Sequence, residues 1–170
     1  MQHSVTSILS LTDIFDTLTP IQLELIASIC VFEEYAKGHI LLRENEESDE
    51  LYVIGSGGVE ILINPGVVGD TKDLAMKAIT LTELRQGQVF GEVALVDQGL
   101  RSATVRVSQN GTQLLRIARE RLMLLCDTYP ELGYRIMKNL AADLAFKIRN
   151  TDLTIRQYQL LLSKTNSAGI

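Results

Sequence analysis

Phe90-Gly91-Glu92-Val93-Ala94-Leu95-Val96-Asp97-Gln98-Gly99-Leu100-Arg101-Ser102-Ala103-Thr104-Val105 is the stretch on which the reading of this chain turns. Gly91 opens a short helix, the Glu92 carboxylate follows it, and nine residues later Arg101 leads into a strand. Helix-opening N–H groups offer donors and the positive end of a dipole. Arg101 adds a planar fork suited to phosphate oxygens, and Glu92 adds acceptors for a hydroxyl. A sugar carrying a phosphate is the simplest ligand that uses all three.

Outward from this stretch the chain alternates in period. Downstream, Ala103, Val105 and Val107 form a strand that leads into Gln109-Asn110-Gly111, the strongest hairpin signal present, and Leu115 and Ile117 complete that hairpin. Upstream the apolar period is two from about Val31, through Ile40 and Leu42, then Leu51, Val53 and Gly55 alternating with Tyr52 and Ile54. Ser56-Gly57-Gly58 is a tight turn before Val59, Ile61 and Ile63; Asn64 to Asp70 is a loop; Ile79 and Leu81 mark a further strand. Short strands separated by turn residues point to a barrel or roll.

Helices flank this β region. Thr19-Pro20 is a cap with proline at the first helical position, and Ile21, Leu23, Leu25, Ile26 and Ile29 supply an apolar face. Ile8, Leu11, Ile14 and Phe15 suggest a short helix and turn before it. After Ala118, Leu122, Leu125 and Cys126 share a helical face up to Tyr129-Pro130. From Pro130 to about Leu162 there is no further proline, and Asn150-Thr151-Asp152 either lies within one long helix or caps a second segment. Met137, Ala141, Leu144, Ile148, Thr151, Ile155, Tyr158 and Leu162 follow spacings of four and three, a heptad pattern. The expected role is a homodimer seam over residues 137–162, against the alternative of a helix folded back on its own barrel. The expected division is a roll with N-terminal helices over 1–128, a long helix over 129–163 as lid and seam, and a disordered tail over 164–170.

Bulk properties narrow the function. The 170 residues suit one domain with a helical appendage, and 46% are apolar. No apolar run is long enough to span a bilayer, and Met1 to Leu11 lacks the pattern of a signal peptide. A net charge of −5 disfavours a general nucleic-acid or anionic-membrane surface while permitting one local cationic pocket. Cys30 and Cys126 read as reduced core thiols of a cytoplasmic protein. His3 and His39 are the only histidines, too few for a metal-dependent β-barrel enzyme.

The pattern Phe90, Gly91, Glu92, Ala94, Leu95, a short spacer, then Arg101, Ala103 and Val105 resembles the phosphate-binding cassette of the cyclic nucleotide-binding domain. That family includes Crp/Fnr-type regulators and regulatory subunits of cyclic-AMP-dependent protein kinase. Gly38, Ile40, Leu51-Tyr52-Val53, Gly57 and Val59-Glu60-Ile61 are similar to its glycine-punctuated roll, and Ile14-Phe15 to Ile29 to its opening helical segment. The resemblance covers roughly residues 10–150. It implies a mainly β fold with flanking helices: an eight-stranded β-roll, a jelly-roll-like double-stranded β-helix, followed by a long C-terminal helix.

By the same resemblance, Gly91 lets the backbone approach the ligand and Glu92 accepts a hydrogen bond from the ribose 2′-hydroxyl. Val93, Ala94 and Leu95 bring main-chain donors near it. Arg101 pairs with the cyclic phosphate, with Ser102 donating beside it and Ala103 completing the motif. Leu100 departs from the proline of many eukaryotic members. The base contact of the bacterial activators falls on Lys147 and Ile148, which depart from the family's threonine-serine choice; Arg149 and Asn150, or a partner subunit, are alternative lids. Cyclic AMP and cyclic GMP both remain open as the ligand, with no cofactor or metal.

The expected function is a non-enzymatic sensor that couples cyclic nucleotide binding to its C-terminal helices and to a downstream protein not identified by sequence. Two readings stand beside it. One is a scaffold with a vestigial pocket, in which Arg101 merely pairs with Glu92. The other is the sensor half of a transcription regulator, without a helix-turn-helix and so without nucleic-acid binding by this chain alone.

Overall fold

A computed structural model describes residues 2–64 and 78–167, so the loop expected at Asn64 to Asp70 lies outside the described residues beyond Asn64. The chain opens with helix α1 (Gln2–Leu9), a 3-10 turn at Asp13–Phe15 and helix α2 (Pro20–Ile29). α2 starts where Thr19-Pro20 places it. The Thr19 hydroxyl accepts from the Gln22 N–H and the Gln22 side chain accepts from the Thr19 N–H, a reciprocal capping box ahead of a proline that has no N–H to satisfy.

Among the described residues eight strands follow: β1 (Cys30–Tyr35), β2 (Ile40–Leu42), β3 (Glu50–Ser56), β4 (Gly58–Ile63), β5 (Ile79–Arg85), β6 (Val89–Phe90), β7 (Thr104–Val107) and β8 (Thr112–Ala118). They form two antiparallel four-stranded sheets, ordered β1-β8-β3-β6 and β2-β7-β4-β5. The chain thus changes sheet at most of its turns, which is the winding of a jelly roll. Helix α3 (Glu92–Asp97) interrupts the strands, and helices α4 (Arg119–Thr128) and α5 (Pro130–Ser167) close the chain. The eight-stranded roll with flanking helices agrees with the expected fold.

One turn is corrected. Gln109-Asn110-Gly111 joins β7 to β8, but these strands do not pair: β7 lies between β2 and β4, β8 between β1 and β3. The turn is a corner between sheets. The β3–β4 turn is a second such corner, and the two lock together. The Ser108 N–H donates to the Gly58 carbonyl at 3.0 Å, and Thr112, fully buried, donates to the Gln109 carbonyl at 2.8 Å. Gly57 has φ +77°, and a Cβ there would stand 2.4 Å from Thr112 Oγ1. A turn signal specifies a reversal of the backbone, and which strand the reversed chain meets is a long-range choice.

β3 shows how the sheets are shared. Leu51 and Val53 pack into a cluster with Ile14, Phe15, Ile26, Leu95, Leu122, Leu132, Ile136 and Leu140, beneath the helices. Tyr52 and Ile54, on the opposite face, join Leu42, Val59, Phe90, Val105 and Leu114 inside the roll. Both faces of the strand are covered, so its apolar residues run unbroken. Tyr52 stacks on Phe90 at 4.9 Å between ring centroids, a core role. Phe90 belongs to β6, a two-residue strand too short for periodicity to reveal.

α5 spans 38 residues without a break, a rod of about 57 Å at about 1.5 Å per residue. Asn150-Thr151-Asp152 therefore caps nothing, and the helix continues past the end expected at residue 163. Its first half packs on the core through Leu132, Ile136 and Leu140. Asn139 and Arg135 donate to the carbonyls of Ile14, Asp16 and Thr17, fastening the N-terminal 3-10 turn to α5. Cys30 and Cys126 are free thiols, and burial pushes Cys30 up to about 12. No described helix is long and apolar enough to cross a membrane.

Candidate functional site

A cavity of about 680 Å³ opens between the roll and α5. Leu42, Ile61, Leu84 and Val105 line it from the roll; Gly91, Glu92, Val93, Arg101, Ser102 and Ala103 line it from the expected cassette; Asp143, Phe146, Lys147, Asn150, Thr151 and Thr154 line it from α5. Ala94 and Leu95, expected to bring main-chain donors, lie within α3. The Leu95 side chain, 2% exposed, turns into the core beneath the helices. Ala94 sits within α3, and its side chain lies outside the described residues.

Arg101 precedes β7 and is 4% exposed. Its Nη1 donates to the Gly91 carbonyl at 3.0 Å, and its Nη2 donates to Ser48 Oγ at 2.7 Å and to the Glu50 carbonyl at 2.8 Å. The buried Nε has no partner. A guanidinium carries five N–H donors, so this group, a residue of the cavity lining, is anchored by its terminal nitrogens and keeps unspent donors. Burial lowers the Arg101 pKa, with Glu50, Tyr52, Asp49 and Glu92 acting in the opposite direction. A buried cation with an unspent donor is poised to gain from an anion.

Gly91 makes this packing feasible. Its φ is +85°, and a Cβ would lie 2.6 Å from the Glu50 carbonyl oxygen and 2.9 Å from Arg101 Nη1. The missing side chain accommodates the protein's own arginine and β3. At six residues α3 is too short to build a large macrodipole, so its share at the site reduces to the N–H groups of its first turn, which have no intrahelical partner.

Glu92 is 7% exposed, and its Oε1 lies 3.0 Å from Lys147 Nζ on α5. Lys147 also meets Asp143 Oδ2 at 2.8 Å. Burial alone would lower the Lys147 pKa, but Glu92 and Asp143 outweigh it and hold it above the ordinary lysine value. A folded-state value above the unfolded one stabilises fully below about pH 10.4 and is lost as pH rises through the folded value. Thermal denaturation of Lys147→Met across pH 7 to 11 is therefore expected to show a deficit that holds to about pH 10.4 and shrinks above it. A deficit independent of pH would show that the pair contributes nothing.

The Arg101–Glu92 pairing of the vestigial reading is not what the structure shows: the guanidinium is bound to neutral oxygens of Gly91, Ser48 and Glu50, and the carboxylate to Lys147. Sequence reasoning missed Ser48 and Glu50, which carry no local signal. Lys147 was named as the position of a base contact, and Asp143 was findable as its acidic partner four residues earlier on one helix. Among the described residues no group of three or more histidine, cysteine or acidic side chains is placed to hold a metal ion.

Comparison with known proteins agrees with this architecture. The chain is 31% identical over 142 residues to the cyclic AMP receptor protein of Thermus thermophilus, covering 84% of this chain and 60% of that protein. It is 32% identical over 120 residues to a cGMP-dependent protein kinase of Caenorhabditis briggsae, covering 70% of this chain and 15% of the kinase. The chain therefore spans well under the full length of either relative. The crystal structure of the Thermus thermophilus catabolite activator protein superposes with a TM-score of 0.71 at 28% identity, over 87% of this chain and 63% of that one. A cyclic nucleotide-binding domain from Methylobacillus flagellatus shares the fold, with a TM-score of 0.75 at 20% identity over 92% of this chain and 83% of that one. A family profile described as the cyclic nucleotide-binding domain matches residues 32–129, from β1 to the end of α4. Roll, cassette and profile coincide, and the chain belongs to the cyclic nucleotide-binding domain family.

Proposed function

We propose that this chain is a sensor that takes up cyclic AMP or cyclic GMP in the cavity and answers through α4 and α5. The observation that carries this is Arg101: a buried cation, bonded to three oxygens and with an unpartnered Nε, that lines a cavity also lined by Glu92. A cyclic phosphodiester brings one negative charge to that cation. Its ribose 2′-hydroxyl donates to Glu92, whose Oε1 is held by Lys147. The N–H groups of Val93, Ala94 and Leu95, the Ser102 hydroxyl and the backbone at Gly91 and Ala103 surround the phosphate end. The relatives support both ligands, one being named for cyclic AMP and one for cGMP. The domain binds rather than converts its ligand, and it acts on a downstream protein.

The Glu92–Lys147 ion pair supports the coupling to α5. The carboxylate that meets the ribose already touches the helix, so a ligand that repositions Glu92 acts on α5. Isothermal calorimetry tests the reading. Cyclic AMP or cyclic GMP is expected to bind at micromolar strength, about −8 kcal/mol, and plain AMP more weakly. Absence of heat and of any thermal shift with both cyclic nucleotides would favour the vestigial scaffold.

The exposed half of α5 supports a homodimer. Ile148, Ile155, Tyr158 and Leu162 are each about half exposed or more along the expected seam, whereas Leu144 packs against the chain's own core. The seam proper thus lies beyond Leu144. Ile155→Glu is expected to convert a dimer to a monomer in sedimentation while leaving the roll folded. A wild-type chain that sediments as a monomer at high concentration would remove the seam from the proposal.

A further inference from the structure

We propose that Lys147 is a specificity-determining residue of the cavity, donating a hydrogen bond to the oxygen on the ligand's ribose C2′; the proposal rests on the sensor reading above and deepens it. Lys147 Nζ lies 3.0 Å from Glu92 Oε1 and 2.8 Å from Asp143 Oδ2, and all three residues line the cavity. The ammonium therefore stands beside the carboxylate that the sensor reading gives to the ribose. Asp143 precedes it by one helical turn on the same face of α5, which fixes the lysine head against that carboxylate. Glu92 and Asp143 together outweigh burial and hold the Lys147 pKa above the ordinary lysine value, so the donor is charged throughout the neutral range.

An ammonium has three N–H donors and no acceptor. Among the described residues, Lys147 meets only Glu92 and Asp143, so at least one donor stays uncommitted. Glu92 is uncommitted in the complementary sense. Its Oε1 accepts from Lys147, while its Oε2 accepts from no described residue. A 2′-hydroxyl carries one donor and two acceptor lone pairs. Set between these two side chains, it donates to Glu92 Oε2 and accepts from Lys147, so both halves of the hydroxyl are read. Glu92 alone reads only the donor half. Space is not the constraint, because the cavity runs on to Thr12, Asp13 and Ile14 and to Gly87 and Gln88 in the turn between β5 and β6. Asn139 bonds the Ile14 carbonyl one turn before Asp143, so this extension borders the Lys147 ammonium. A methyl group on the 2′-oxygen has room there.

Competition calorimetry on the whole chain tests this with cyclic AMP or cyclic GMP, whichever binds the more tightly, and with its 2′-O-methyl, 2′-deoxy-2′-fluoro and 2′-deoxy analogues. The first two analogues keep an acceptor and lose the donor, and the last loses both. The step from hydroxyl to 2′-O-methyl reads Glu92, and the step from 2′-O-methyl to deoxy reads Lys147. The wild type is expected to bind the 2′-O-methyl analogue at least about fivefold tighter than the deoxy analogue, because a charged donor is retained. Lys147→Met keeps the aliphatic stem and removes the donor, and there the two analogues are expected to bind within about twofold of each other. Each ratio compares ligands on one protein, so a loss of stability cancels. A Lys147→Met protein that keeps the wild-type ratio between 2′-O-methyl and deoxy overturns the proposal. So does one in which only the ratio between hydroxyl and 2′-O-methyl changes, because that marks a lysine that merely positions Glu92. The wild type decides alone if the variant fails to fold: equal binding of the 2′-O-methyl, 2′-fluoro and deoxy analogues overturns the proposal, and the small fluorine separates a missing bond from missing room. If neither parent nucleotide gives heat with the wild type, the sensor reading itself falls; if a parent binds and the ratios are flat, only this inference falls.

Discussion

Arg101→Ala is expected to weaken cyclic nucleotide binding by about 2–5 kcal/mol, or about 30-fold to several thousandfold in Kd. The size follows from what remains. In the variant the phosphate enters a pocket whose buried counter-charge is gone, and it loses water without gaining a cation. Some cost also falls on the protein itself. The Gly91 and Glu50 carbonyls and Ser48 Oγ lose their common donor, so a lower melting temperature is expected too. Arg101→Lys separates charge from shape. A lysine keeps the positive charge but loses the planar fork and cannot hold three separate acceptors in fixed directions. It is expected to retain more stability than alanine and still to bind at least about tenfold more weakly than arginine. Calorimetry with circular dichroism on both variants provides the check, and an Arg101→Ala protein that binds like wild type would remove Arg101 from the site.

Gly91→Ala is expected to be strongly damaging, costing about 2–4 kcal/mol of stability and most of the ligand affinity. Two effects add. The backbone at φ +85° is strained for any residue with a Cβ, and the new methyl would stand 2.6 Å from the Glu50 carbonyl oxygen, a backbone atom of β3 with little room to move. Its other near neighbour is Arg101 Nη1 at 2.9 Å, so relief of the clash displaces the guanidinium the ligand needs. Thermal unfolding should register a drop of roughly 5–15 °C. A melting temperature within a degree of wild type would show that the turn at Gly91 relaxes freely, and would weaken the account of how Arg101 is held.

Several features were readable before any coordinates. The Thr19-Pro20 cap is local chemistry, and α2 begins there with the full capping box. Gly91, Glu92 and Arg101 lie within eleven residues, and a short stretch leaves their backbone few ways to bring them to one wall. The long helix was readable from its missing breakers. One turn was misread, and two further points could not be decided from local signals. Gln109-Asn110-Gly111 was read as a hairpin because an Asn-Gly turn reports its own dihedral angles and says nothing about the sheet that receives the next strand. β6, with two residues, offers no period to count. Asn150-Thr151-Asp152 has capping chemistry, yet a continuous helix simply leaves those side chains on its surface, and Thr151 bonds back to the Lys147 carbonyl at 2.9 Å.

The partners of the cassette divide along the same line. Sequence spacing accounts for the presence of an acid, an arginine and a turning glycine on one short segment, because those contacts are near in the chain. What each of them touches came from folding: Lys147 on Glu92 across 55 residues, Glu50 on Arg101 across 51, Arg119 on Leu95 across 24. Contacts at such separations depend on how the two sheets wind and on where α5 lies against them. Local propensity carries almost no information about either, since loop closure costs nearly the same free energy for many competing pairings and only the packing of both apolar clusters selects among them.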